Sequence, residues 1–155
     1  MSWYYQNTLV EALPEDCVGF VYLITNTTNG RKYIGKKLAK FSKTKYRVVK
    51  LKNGNKKKKK IRTKVDSDWR DYYGSSPELT KDVELLGKDN FKREIISLHP
   101  TKGDVNYSEI KEQFKRNVLE SRNDKGEKIY YNENIMNRYF CMVNDAKRKI
   151  AKIFS

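Results

Sequence analysis

A chain of 155 residues with 34 Lys and Arg against 19 Asp and Glu carries a formal net charge of +15 and a sequence pI near 9.7. That length suits one domain with its own core, an aromatic share of 12% excludes a disordered polyelectrolyte, and the charge calls for an anionic partner, nucleic acid ahead of a membrane surface. Cys17 and Cys141 have neither metal-ligand spacing nor the numbers for a disulfide framework, and no apolar run approaches about eighteen residues, so a reducing cytoplasmic setting is expected, with no membrane partner.

In chain order, residues 20–25 and 32–34 are rich in β-branched and aromatic types and flank Asn26-Thr27-Thr28-Asn29-Gly30. This pattern predicts an antiparallel hairpin turning at Asn29-Gly30. Tyr22 and Ile24 share one face and Val21 and Leu23 the other, so the first strand is apolar on both sides and central. Residues 36–64 are the most basic stretch. Residues 46–51 and 60–65 read as the arms of a second hairpin, inserted over 45–65, with Asn53-Gly54-Asn55 at its turn. The run Lys56, Lys57, Lys58, Lys59 and Lys60, with Arg62 and Arg70, is the predicted contact to a nucleic-acid backbone rather than a merely solvated loop. Such contacts make binding salt-dependent, with a log-log slope of about 0.9 per phosphate neutralised.

Further on, Ser76 as N-cap, Pro77 in the first turn, Glu78 at the positive end of the dipole, Leu79, Val83 and Leu86 at helical spacing, and Gly87 as the stop predict a helix. Gly74-Ser75-Ser76 before it offers backbone N–H groups to a phosphate, or only caps. Residues 90–98 read as a third strand and 99–106 as a polar connection, with the single histidine, His99, expected in solvent. A second helix is expected over 107–120 with Tyr107, Ile110, Phe114 and Val118 inward, and a basic C-terminal helix over 137–155. The fold class is α+β: a small antiparallel sheet of about three central strands flanked by helices, one domain over 1–155.

Val21-Tyr22, Asn26, Gly30 and Tyr33-Ile34-Gly35, with eleven positions between the tyrosines, resemble the paired motif of the GIY-YIG nuclease family. Phe20 stands where that family usually has glycine and Val21 where it has isoleucine; the second motif is intact. The similarity covers residues 19–132, and residues 66–91 resemble small phage-encoded members, which would place the protein in a host cytoplasm. The resemblance implies a DNA endonuclease using Mg²⁺ or Mn²⁺, with a tyrosine as base or water-positioner, a cation on the phosphate and a glutamate on the metal. Tyr22 is then the base candidate and Tyr33 its partner. Because a phenol with pKa near 10 is a poor base, a neighbouring cation is needed to lower it, and Lys37 is nearest by sequence.

For the phosphate, Arg47 is the first arginine after Gly35, with Lys37 and Arg70 as alternatives. For the metal, Glu109 and Glu112 lie on the predicted helix, both away from its apolar face. Glu109 shares a flank with Gln113 and Asn117, whereas Glu112 stands among Lys111, Lys115 and Arg116, which favours Glu109 and leaves Glu112 as the alternative. Asn132 resembles the family's late asparagine, and an ordinary cap or turn role fits it equally. The rival readings are a non-catalytic nucleic-acid-binding protein on the same scaffold and an RNA-binding protein, since charge does not separate the two polymers. Sequence specificity is expected to be limited, or drawn from the hairpin insert or from a homodimer.

Overall fold

The computed structural model describes residues 2–141 and 143–154. Its frame is a five-stranded sheet in the order β2-β1-β7-β3-β4, formed by Trp3–Tyr5 (β1), Thr8–Val10 (β2), Gly19–Asn26 (β3), Lys32–Leu38 (β4) and Phe91–His99 (β7). β1 runs parallel to β7 and the other pairs are antiparallel, so the sheet is mixed and larger than the three-stranded antiparallel sheet expected. The extra strands come from the N-terminus. Gln6 and Asn7, at φ 49° and 65°, form a two-residue turn with positive φ at both positions. Trp3, 1% exposed, anchors that hairpin by donating its indole N–H to the Trp69 carbonyl at 2.7 Å.

β3 is the central strand the sequence calls for, buried along nearly its whole length. Alternation sends its side chains into two cores. Phe20, Tyr22 and Ile24 pack with Trp3, Trp69 and the helix Pro77–Leu86 (α1), while Val21 packs with Ile34, Val118, Tyr130 and Ile135 on the face covered by the helix Lys102–Lys115 (α2). α1 starts and stops as its residues dictate: Ser76 Oγ accepts from the Leu79 N–H, Pro77 occupies the first turn, and Gly87 ends it at φ 89°. Arg93, 1% exposed, donates to the carbonyls of Arg70 and Tyr72 and lies 4.2 Å from the centre of the Tyr73 ring, tying the segment before α1 to the sheet.

α2 departs from expectation. It begins at Lys102, capped by Thr101 Oγ1 on the Asp104 N–H, and ends at Lys115. Of the residues expected inward, Tyr107 and Phe114 are exposed, whereas Ile110 packs against the core and Val118, just past the helix end, is buried; Val105 and Gln113 also face inward with Glu109 between them, at i, i+4 and i+8. The helix therefore turns a partly polar face to the protein, which periodicity of apolar residues alone cannot reveal. His99 is likewise not in solvent. It is buried between Ser97 Oγ and Asp104 Oδ2, each 2.6 Å from a ring nitrogen, and so joins the end of β7 to the first turn of α2.

The basic hairpin is longer than its expected arms: Lys40–Lys50 (β5) and Lys56–Asp66 (β6) pair only with each other over eleven residues apiece. Towards the C-terminus, Asn134–Ile135 (β8) and Tyr139–Phe140 (β9) form a small hairpin, and the last helix is Val143–Lys152 (α3). The basic helix expected from residue 137 thus starts later; Met136 and Asn137 sit at φ 59° and 53°, which a helix does not permit. Among the described residues no helix is long and apolar enough to cross a membrane.

Candidate functional site

The turn between β3 and β4 brings the two tyrosines of the hairpin together. Asn26 fixes that turn by accepting from the Thr28 N–H and hydroxyl. The register pairs Tyr22 with Gly35, and a side chain at Gly35 would collide with the Tyr22 hydroxyl and the Tyr33 ring, so only glycine lets the rings close up. Their centroids are 6.1 Å apart. Tyr22 is 1% exposed and packed among Trp3, Phe20 and Tyr72. Burial pushes its pKa well above 10, and the nearby Tyr33, Tyr72 and Glu109 push the same way. The expectation of a phenol made acidic by Lys37 is thereby overturned. Lys37 Nζ lies 2.6 Å from Asp68 and over the Tyr72 ring.

Tyr33 reaches outward instead. Its hydroxyl is 2.9 Å from Ser75 Oγ, at the approach to α1, and it lines a cleft of about 450 Å³ with Lys36, Ser76, Glu109, Gln113 and Asn132. Burial raises its pKa too, with the Ser75 hydrogen bond opposing. The cleft lies along β4, whose outer edge is met at Ile34 by the Asn132 side chain, which accepts from the Ile34 N–H at 3.1 Å and donates to the Ile34 carbonyl at 2.8 Å. Gln113 donates to the same carbonyl at 3.2 Å, which sets the rotation of α2 and turns Glu109, one helical turn earlier, toward the cleft. The Asn132 amide is thus engaged with the backbone of β4 and holds the site's wall.

Burial raises the Glu109 carboxyl above its usual range, and the Lys36 ammonium and backbone N–H draw it partly back. Lys36 also hydrogen-bonds Asn106 Oδ1 on α2. Glu112 is paired with Arg116 at 3.0 Å, outside the cleft lining. Arg47 sits exposed on β5 opposite Lys59, and Arg70 lies over the Trp69 ring; neither lines the cleft. Lys56, Lys57, Lys58, Lys59, Lys60 and Arg62 all lie along exposed β6. Sequence reasoning passed over Lys36, took Gln113 only as a polar flank of Glu109, and took Ser75 only as part of a backbone N–H site before α1. The signal for Lys36 was the strand alternation that aligns it with Ile34, on the α2 face, once Lys37 is placed with Tyr33.

The model of the family described as "Putative endonuclease segE, GIY-YIG domain" matches residues 3–135. The chain belongs to the GIY-YIG family. No curated protein and no solved structure matches it. The family match takes in the sheet, both tyrosines, Glu109 and Asn132, and leaves α3 outside. Where this GIY-YIG chain departs from type, the core gives the reason: Phe20 is fully buried, edge-on to Trp3 at 5.1 Å between centroids, and fills volume that a glycine there would leave empty.

Proposed function

We propose that this GIY-YIG chain is a metal-dependent endonuclease hydrolysing DNA phosphodiester bonds in the cleft beside β4. The observation that carries this reading is the meeting of a phenol, an ammonium and a half-buried carboxylate, Tyr33, Lys36 and Glu109, on one cleft. Tyr33, oriented by Ser75, holds the attacking water; Tyr22 supports it from below, through the packing that fixes the Tyr33 ring. Lys36 faces phosphate charge in the place first assigned to Arg47 and Lys37.

Among the described residues no three His, Cys, Asp or Glu side chains gather into a cage. Two carboxylates line this polar cleft, Glu109 and the exposed Glu133, and so small a set fits Mg²⁺ or Mn²⁺, hard ions that keep several waters and need few protein ligands. When bound, such an ion supplies neutralisation of the charge that develops on the phosphate and the leaving oxygen. Glu109 must be ionised to hold it.

Incubating supercoiled plasmid with the protein, with and without Mg²⁺, tests the reading. Nicking or linearisation that needs the metal, and falls about 10²–10⁴-fold in Tyr33→Phe and more in Glu109→Gln, is the expected result. Binding without cleavage in any divalent metal would instead favour the non-catalytic DNA-binding protein, a reading that draws on the burial of Tyr22 and on a cleft lining without arginine. The proposed setting is the cytoplasm, in keeping with the free thiols of Cys17 and Cys141.

A further inference from the structure

The β5–β6 arm carries charge on both faces, but its register sorts the two faces differently. One face, from the pairs Phe41↔Val65, Lys43↔Thr63, Lys45↔Ile61, Arg47↔Lys59 and Val49↔Lys57, mixes cations from both strands with the half-buried Val49 and Ile61. The opposite face, from Ser42↔Lys64, Thr44↔Arg62, Tyr46↔Lys60, Val48↔Lys58 and Lys50↔Lys56, is segregated. There β6 contributes an unbroken row of cations, and β5 contributes a parallel row that is uncharged from Ser42 to Val48. Tyr46 and Val48 on this row are 67% and 60% exposed, so the row presents an aromatic hydroxyl and an apolar side chain to solvent beside the cations.

The two faces also differ at the root of the arm. Phe41, on the mixed face, points towards Lys37, 5.2 Å from its ring. Lys40, Ser42 and Lys64, on the segregated face, share a small cleft with Lys102, the first residue of α2. The segregated face is therefore continuous with the side of the sheet on which α2 presents Glu109.

We infer that the segregated face of the arm docks in the major groove of duplex DNA, with the β6 cations on one phosphate strand and Thr44, Tyr46 and Val48 on base edges, making these three the residues that set target preference. The inference rests on the proposed DNA substrate and adds to it a reading surface. Dimensions allow it: eleven residues per strand at roughly 3.3 Å each span about one turn of B-DNA, roughly 34–36 Å. The major groove, about 12 Å wide, admits a two-stranded ribbon. Base edges offer methyl and hydrogen-bonding groups to Val, Thr and Tyr side chains, whereas phosphates need cations, which matches the division of labour between the strands.

Two triple variants with equal loss of charge test the docking face, both in a Glu109→Gln background so that binding is read without cleavage. Lys58→Gln/Lys60→Gln/Arg62→Gln removes three cations from the segregated face, and Lys43→Gln/Lys45→Gln/Arg47→Gln removes three from the mixed one. By fluorescence polarisation on a short duplex, the first is expected to lower the log-log salt slope by about 2–3, and the second by less than about 1. Thr44→Ala/Tyr46→Ala is expected to keep the salt slope and to flatten the sequence preference seen when bound duplexes are selected from a random pool. Circular dichroism of each variant confirms that the sheet is retained. Equal slope changes in the two triples, an unchanged preference in the double variant, or equal competition by duplex RNA, whose major groove is too narrow to enter, would overturn the inference. None of these outcomes touches the plasmid-nicking result on which the endonuclease reading stands.

Discussion

Glu109 shows how one side chain trades stability for chemistry. Its carboxyl is raised above the usual range chiefly by burial, so the folded chain holds its proton more tightly than the unfolded one. Between the unfolded and the folded pKa the native state binds more protons, and stability falls as pH rises through that window. The penalty is absent below the unfolded value and complete above the folded one. Glu109→Gln is accordingly expected to raise the melting temperature at pH 7 by a few degrees, to leave it unchanged at pH 3, and to abolish cleavage; a scanning calorimetry series over pH checks the first two. Tyr33→Phe removes one hydrogen bond to the exposed Ser75 and should cost no more than about 1 kcal/mol of stability while slowing cleavage as above. Lys36→Met should weaken cleavage at saturating DNA by about 10²-fold, measured as single-turnover rates.

At the scale of elements, the site depends on how two neighbours seal the edge of β4. Asn132→Ala leaves the Ile34 N–H without its partner in a buried position, and chemical denaturation is expected to show a loss of about 1–3 kcal/mol. Gly35→Ala places a methyl group against the Tyr22 hydroxyl and the Tyr33 ring, so the two packed rings must shift, at an expected cost of about 1–3 kcal/mol and with loss of cleavage. The hairpin of β3 and β4 and the helix α1 were legible because their determinants are local: Asn29-Gly30, Ser76, Pro77 and Gly87 act within a few residues of themselves. α2 was misjudged because its inward face holds Glu109 and Gln113, whose partner is the Ile34 carbonyl, 79 positions earlier. His99 was misplaced for a related reason, as its partners Ser97 and Asp104 are close in sequence yet meet it only across a strand-to-helix corner.

For the whole molecule, the net charge of +15 predicts strong attraction to any polyanion, and the fold decides where that attraction is focused. β5 and β6 pair with no other strand, so replacing residues 43–63 by a tight turn from Ser42 to Lys64 should leave core stability within about 1 kcal/mol. Plasmid affinity at physiological salt should drop at least about 10-fold, as read by filter binding.

What the amino-acid sequence determined alone was the anionic partner, the paired tyrosine strands, the first helix and the lysine-rich ribbon, because charge, turn chemistry and capping are properties of short segments. Tertiary structure alone decided that Tyr33 rather than Tyr22 opens to the cleft, that Lys36 rather than Lys37 or Arg47 faces it, and that Asn132 holds its wall. Those outcomes turn on which strand is an edge and which helix face is inward, and both are settled by packing between residues far apart along the chain.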